Sequence, residues 1–315
     1  MNLLAVFLNT LEVTLPVFAM VFLGIGLKRI GWIDRAFIAM ASALVFRATM
    51  PTLLFLNIIK ADLDATLNPK LLGFFAIATL GTFALSWLWA HWRVAYADRG
   101  VYVQGAFRGN CGIVGIALAT SLYGDYGLSA GGLLLGVVIL CYNVFSVVVL
   151  AAYQPGKRAD WRSVFKHIAH NPLIIAVLLA IPVAWFGITL PGWLMTSGDY
   201  FASLTLPLAL ICIGGTLSVS ALRSDSSTAL GASMLKMVTL PALASAAAWL
   251  VGFTGPELGL LFLFFASPTA SASFVMVKVM GGDARLAANI IAVTTLLASI
   301  TVTVGVFILR VSGLI

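Results

Sequence analysis

The chain has 315 residues, 61% of them hydrophobic and 9% charged, with a mean hydropathy of +1.08. That balance excludes a water-soluble domain of this size. The net charge of +7 would point to nucleic acid in a soluble chain; here the cations cluster in short connections between apolar runs, as in the cytoplasmic loops of membrane proteins, so the bilayer is the expected partner and nucleic acid is not.

A helix needs roughly 20 apolar residues to cross about 30 Å of hydrocarbon. Runs of that length recur along the whole chain, predicting helices at residues 7–27, 36–59, 70–92, 100–123, 128–152, 169–188, 199–220, 228–252, 257–279 and 286–310. The expected fold is an all-α polytopic membrane protein with ten transmembrane helices. The first run is longer than a cleavable apolar segment, and "GIGLKRIGW" after it lacks a small-residue cleavage pattern, so it reads as a retained helix. Cys111, Cys141 and Cys212 fall inside predicted spans without metal-site spacing, which indicates neither disulfides nor zinc.

Lysine and arginine in the connections set the orientation. The odd-numbered connections carry 12 cations, among them Lys28, Arg29, Arg35, Arg93 and Arg99, while the opposite side carries Lys60, Lys70 and Arg310. The odd connections are therefore expected in the cytoplasm and both termini outside it, in the inner (plasma) membrane.

Five spans on either side of "YQPGKRADWRSVFKH" would set two halves, residues 1–155 and 165–315, upside down relative to each other. A forward shift of 158 positions pairs Phe107 with Phe265, Gly124 with Gly282, Asp125 with Asp283 and Leu128 with Leu286. The fourth and ninth spans then correspond, and "GNCGIVG" (109–115) lies opposite "SPTASAS" (267–273). Glycine weakens a helix, and Pro268 removes a backbone donor. Amides and carbonyls freed in this way need partners that lipid cannot supply. Paired interrupted helices in two inverted halves are the sequence pointer to a transporter's binding site near the bilayer midplane. Small residues also let helices pack closely, but packing needs neither Arg108 nor Asn110.

"FRGNCGIVGIAL", the following "LYGDYG", "LKMVTLPAL" (235–243) and "SPTASASFVMVKVMGGDARLAA" (267–288) together resemble bacterial members of the auxin efflux carrier family, over essentially the full chain. The resemblance implies two inverted five-helix repeats with broken helices four and nine crossing at their breaks, a fold shared with bile-acid sodium symporters. It also implies a scaffold of helices one, two, six and seven, a mobile transport domain of helices three to five and eight to ten, an elevator-like motion, and often a homodimer. Asn110 matches the asparagine of the family's first crossover. At the second, Pro268 follows Ser267 where the family has another asparagine.

Within the predicted spans stand three cations, Arg47, Arg108 and Lys236, and one acid, Glu12. Charge in hydrocarbon is costly, so such residues face partners or a wet cavity, and the surplus of positive charge argues for an anionic substrate. Arg108 lies about 13 Å along a helix from Arg99. Its guanidinium fork suits a carboxylate, with Asn110, Cys111 and Gly112 opening the second half-helix, whose N-terminal end adds positive dipole. The alternative is an arginine bonded to carbonyls freed by the break. At the second break Ser267, Pro268 and Thr269, with Ser271 and Ser273, offer hydroxyls suited to a carboxylate or to Na+, or to capping. Asn289, in the tenth span, is a further ligand candidate, ahead of Asn57 and Asn143. Lys236 reads either as a switchable counter-charge or as snorkelling; Arg47 reads as paired with Glu12 or snorkelling.

No P-loop, nucleophile elbow or pair of catalytic carboxylates occurs, so no enzyme is expected and transport is secondary, without a cofactor and with H+ or Na+ coupling open. The expected activity is transport of a small organic anion; a Na+-coupled symporter and a sensor of the same ligand are the alternatives.

Overall fold

A computed structural model describes residues 3–60, 68–153, 169–217 and 227–315. His167 and the cations between 157 and 166, with Arg223, lie outside them. The described residues form helices α1 (Leu3–Arg29), α2 (Arg35–Lys60), α3 (Pro69–Arg93), α4 (Arg99–Phe107), α5 (Cys111–Tyr153), α6 (Pro172–Trp185), α7 (Gly192–Thr216), α8 (Ser227–Leu250), α9 (Gly255–Phe265), α10 (Ala272–Met280) and α11 (Ala284–Val311). Seven of them, α1, α2, α3, α5, α7, α8 and α11, are long and apolar enough to cross a membrane; α6 and α9 are apolar but shorter.

Caps and prolines explain most boundaries. Asp34 accepts from the Phe37 amide at the start of α2, Asn68 from Leu71 ahead of Pro69, Asn171 from Leu173 ahead of Pro172, and Asp283 from Arg285 and Leu286. In α2 and α8 the helix widens to a π turn at Val45–Thr49 and Leu235–Thr239. Each turn ends two residues before a proline, Pro51 and Pro241. The missing proline N–H leaves a carbonyl without its usual donor, and the ladder shifts by one residue, so Met50 bonds Val45 and Leu240 bonds Leu235.

The fourth and fifth predicted spans, 100–123 and 128–152, part at Gly124. Residues Cys111–Tyr153 are two helices that meet at Gly124, whose φ of +56° and ψ of −135° suit glycine alone, and the chain folds back there so that a Cβ on Gly127 would run into the Ala119 carbonyl oxygen. In the second half the equivalent bend is a full stop: α10 ends at Gly281 with φ +81°, and Asp283 caps α11. Helix α7 starts seven residues before the predicted 199. Its polar first turns are held by neighbours, Asp199 pairing with Lys60 at 2.7 Å and Gly198 packing on Leu56.

Helices α1, α2, α6 and α7 pack on one another, α1 mainly against α7 and α2 against α6. Helices α3 to α5 and α8 to α11 make a second set, with α3 on α4 and α5, α8 on α9 and α11, and α10 on α11. The first set meets the second where α1 packs on α11 and α5, and α2 and α6 on α5.

The turn at Tyr96–Asp98, before α4, lies close to Asp283. Partial burial, and then the Asp283 carboxylate, hold the Asp98 carboxyl above its ordinary pKa of 3.8. A carboxyl whose folded pKa is raised contributes stability that is full below the ordinary value and is lost as pH rises through the raised one. Asp98→Asn is therefore expected to flatten the fall of melting temperature with rising pH in the weakly acidic range and to raise it at neutral pH; identical pH profiles would contradict this.

Candidate functional site

The two helix breaks bond to each other. Helix α4 ends at Phe107, and Arg108 turns extended (φ −82°, ψ 100°). Helix α9 ends at Phe265, 158 positions on. Between them the Asn110 amide donates to the Pro268 carbonyl at 2.7 Å and the Ala270 amide to the Arg108 carbonyl at 3.1 Å, an antiparallel bridge centred on Gly109 and Thr269. Thr269 reinforces it, its hydroxyl donating to the Gly105 carbonyl at 2.7 Å and its amide to Thr294 Oγ1 at 3.1 Å. Backbone groups that lipid would leave unpaired thus satisfy one another.

The end of α9 is capped by three side chains, one from its own segment, one from across the pair and one from α8. The last carbonyls of α9 have no helical donor. Leu263 receives the Ser267 hydroxyl at 2.8 Å, Phe264 the Cys111 thiol at 3.2 Å and Phe265 the Lys236 ammonium at 2.8 Å. At the start of α5 the Asn110 carbonyl collects the amides of Ile113, Val114 and Gly115. The amides of Cys111 and Gly112, in the first turn, have no residue of their own helix to bond, and Gly112 is partly exposed. They form a small positive end beside Arg108.

Arg108 is 8% exposed and bridges three helices. Its guanidinium donates to Ser146 Oγ at 3.1 Å and Asn143 Oδ1 at 3.2 Å on α5, and to Met276 Sδ on α10. Every one of these acceptors is neutral, and a thioether is a weak one. The expected alternative, bonding to carbonyls freed by the break, is replaced by side chains of α5 and α10. Gln104, one turn before Arg108, also donates to Met276, at 3.7 Å, while its Oε1 is buried without a partner among the described residues. An aromatic wall stands behind: Phe107 meets Tyr142 edge to face at 5.6 Å and Phe83 at 5.1 Å, and Phe83 stacks on Phe145 at 4.8 Å.

Lys236 is 1% exposed and points into the protein, so the snorkelling alternative gives way to a buried ammonium at the second break. The site therefore holds two cations, and among the described residues the ion pair formed is Lys60 with Asp199, which leaves both without an acid.

The other predicted residues divide. Asn110, Cys111, Ser267, Thr269 and Asn289 are all buried. Asn289 Oδ1 and Ser273 Oγ have no hydrogen-bond partner among the described residues, whereas Asn57 bonds back to the Leu53 carbonyl. Arg47 is exposed on the π turn of α2, and Glu12 is exposed in a cleft of about 430 Å3 with Asn9, Arg310 and Ile315. No ion pair joins Arg47 to Glu12 among the described residues. Sequence reasoning passed over Ser146, Gln104, Met276 and Thr294. Asn143 and Ser146, three apart on one helix face, carried the only advance signal.

Comparison with known proteins points to membrane transport. The sequence profile of a family described as membrane transport protein matches the chain twice, over residues 10–161 and 157–306. A protein described as an uncharacterized transporter of Methanocaldococcus jannaschii is 26% identical over 298 residues, covering 90% of this chain and 94% of that protein. One with the same description from Methanothermobacter thermautotrophicus is 24% identical over 301 residues, covering 94% and 97%.

Proposed function

The chain belongs to the membrane transport protein family, that of the auxin efflux carriers, and is a multi-pass transporter rather than an enzyme; on that premise we propose that it carries a small organic anion, a carboxylate or an auxin-like aromatic acid, across the inner membrane. The observation that carries this reading is Arg108: a buried guanidinium with three neutral acceptors and, among the described residues, no acid, three residues before the start of α5. A carboxylate placed there takes two parallel N–H bonds from the fork, the strongest geometry available to it, and the half-helix dipole adds to the attraction. Asn110, Gly112, Thr269 and Asn289 complete the pocket, with the Phe107 and Tyr142 rings giving an aromatic acid a face to lie against.

The proposed layout is ten crossings in two inverted repeats, with the fourth and ninth spans crossing at their breaks. In its support, the family profile matches twice, and a shift of 158 relates the last residues of α4 and α9. The packing suggests how the anion moves. Helices α1, α2, α6 and α7 act as a scaffold, and the set bearing both breaks carries the anion past it, an elevator-like alternation. A homodimer would steady the scaffold.

Purified protein in liposomes tests the proposal with a panel of labelled acids: a monocarboxylate, a dicarboxylate and indole-3-acetate. Saturable uptake of at least one, competed by unlabelled acid and not by a neutral amide analogue, is the expected result. Binding without flux would make the protein a sensor, and preference for neutral or cationic solutes would refute an anion site.

A further inference from the structure

Lys236 belongs to α8, yet its ammonium sits between the two breaks. On one side it donates to the carbonyl of Phe265, the last residue of α9, at 2.8 Å. On the other it faces the first break, where a Cβ on Gly109 would lie 3.1 Å from Nζ. The neighbouring carbonyl, that of Phe264, is taken by the Cys111 thiol, which also lies 3.6 Å from the Tyr142 hydroxyl. No carboxylate enters this arrangement among the described residues. The end of α9 is the negative end of a helix dipole. In transporters made of broken helices, such ends and their unwound carbonyls are what hold a coupling cation. Here the side chain of α8 delivers a cation to that place.

We propose that the Lys236 ammonium is a resident cation, seated between the paired breaks where a coupled carrier holds a free one, so that this chain moves its anion without Na+. The seat follows from the geometry alone; the statement about coupling rests on the transport reading above. The proposal explains why a charge of this cost is kept at 1% exposure with no acid beside it. It also gives Gly109 a reason to lack a side chain, since any Cβ would crowd the ammonium.

Two variants separate a seated charge from mere packing. Lys236→Met keeps the stem and removes the charge; Lys236→Ala removes both and leaves a space for a small amine. Wild-type uptake of the acid is expected to be equal in Na+ and choline media. Both variants are expected to lose about tenfold or more in uptake, the worth of a charged hydrogen bond. Ethylammonium should restore part of the rate in Lys236→Ala and raise its melting temperature, with no such effect on wild type or Lys236→Met. Stimulation of wild type by an inward Na+ gradient, or wild-type rates in Lys236→Met, would overturn the proposal. If Lys236→Ala does not fold, the Na+ comparison and Lys236→Met decide. If wild type moves none of the acids, the transport reading fails on its own account, and the melting response decides the seat: a rise confined to Lys236→Ala supports it, and no rise overturns it.

Discussion

Arg108→Ala is expected to lower carboxylate uptake about thirtyfold or more, because losing one partner of a buried, hydrogen-bonded charge pair costs about 2 to 5 kcal/mol, and each 1.4 kcal/mol is tenfold. Arg108→Lys keeps a charge but loses the planar fork, and with it the second parallel bond; an intermediate loss is expected. The variants also strand Asn143 Oδ1 and Ser146 Oγ, the acceptors of the guanidinium. An unpaired buried polar group such as Ser146 Oγ costs about 1 to 3 kcal/mol, and the half-buried Asn143 less, so a fall of several degrees in melting temperature should accompany the loss without unfolding the protein. Direct binding of a labelled acid to detergent-purified protein separates the two effects. A folded Arg108→Ala protein that still binds and moves the acid like wild type would contradict the assignment.

The second large effect is structural and lies far from the breaks. Helices α1 and α7 approach so closely that a Cβ on Gly214 would run into the Val21 carbonyl oxygen, and one on Gly24 into that of Ile211. Backbone atoms cannot yield as a flexible side chain does, so the helices must separate. Close packing through small residues is what associates helices in lipid, where no hydrophobic force acts between them. Gly214→Val is expected to cost about 3 kcal/mol or prevent folding. Gly26→Ala, on the same helix as Gly24 but with open space at its Cβ, is the control and should be near neutral. Thermal melting in detergent checks both; equal melting temperatures for Gly214→Val and wild type would show that the contact is not tight.

The two effects distinguish parts of the molecule with different duties. Gly24 and Gly214 tie α1 to α7 within one helix set, where a rigid contact is an asset. Arg108 and Lys236 lie in the other set, where buried charge without an acid is a liability unless a ligand or a helix end compensates it. Keeping both cations at the paired breaks concentrates positive potential in one place of low dielectric, which strengthens any contact with an anion.

Much of this was legible in the sequence, and the reasons are specific. Glycine and proline mark helix breaks through their own backbone chemistry, so Gly109 and Pro268 located both interruptions without knowledge of the fold. The shift of 158 positions pairs Phe107 with Phe265, and those two residues end α4 and α9. It also pairs Gly124 with Gly282, and the chain bends at Gly124 and at Gly281–Asp283. Charge in hydrocarbon was equally visible, which is why Arg108 and Lys236 stood out.

What stayed hidden depends on register between helices. Periodicity tells which face a residue occupies, not which residue of another helix meets it. Arg108 reaches Asn143 and Ser146 across a sequence gap of 35 and 38 residues, and Met276 across 168. Lys236 read as equally suited to a counter-charge or to the membrane surface, because the carbonyl that holds it, Phe265, carries no side-chain signal. Arg47 and Glu12 illustrate the reverse case: opposite charges in neighbouring spans suggested a pair, yet Arg47 is exposed on α2 and Glu12 lines a cleft with Arg310. The first turns of α7, residues 192–198, fell before the predicted span, and Thr196, Ser197 and Gly198 are poor helix formers. Tertiary partners, Lys60 and Leu56, override that preference.

A structure of the protein with a transported carboxylate bound tests the central claim most directly. The ligand's carboxylate is predicted within about 3 Å of the Arg108 guanidinium, the distance of a charge-assisted hydrogen bond, and beside the first amides of α5. A ligand bound elsewhere, with Arg108 still engaged only by Asn143, Ser146 and Met276, would contradict it.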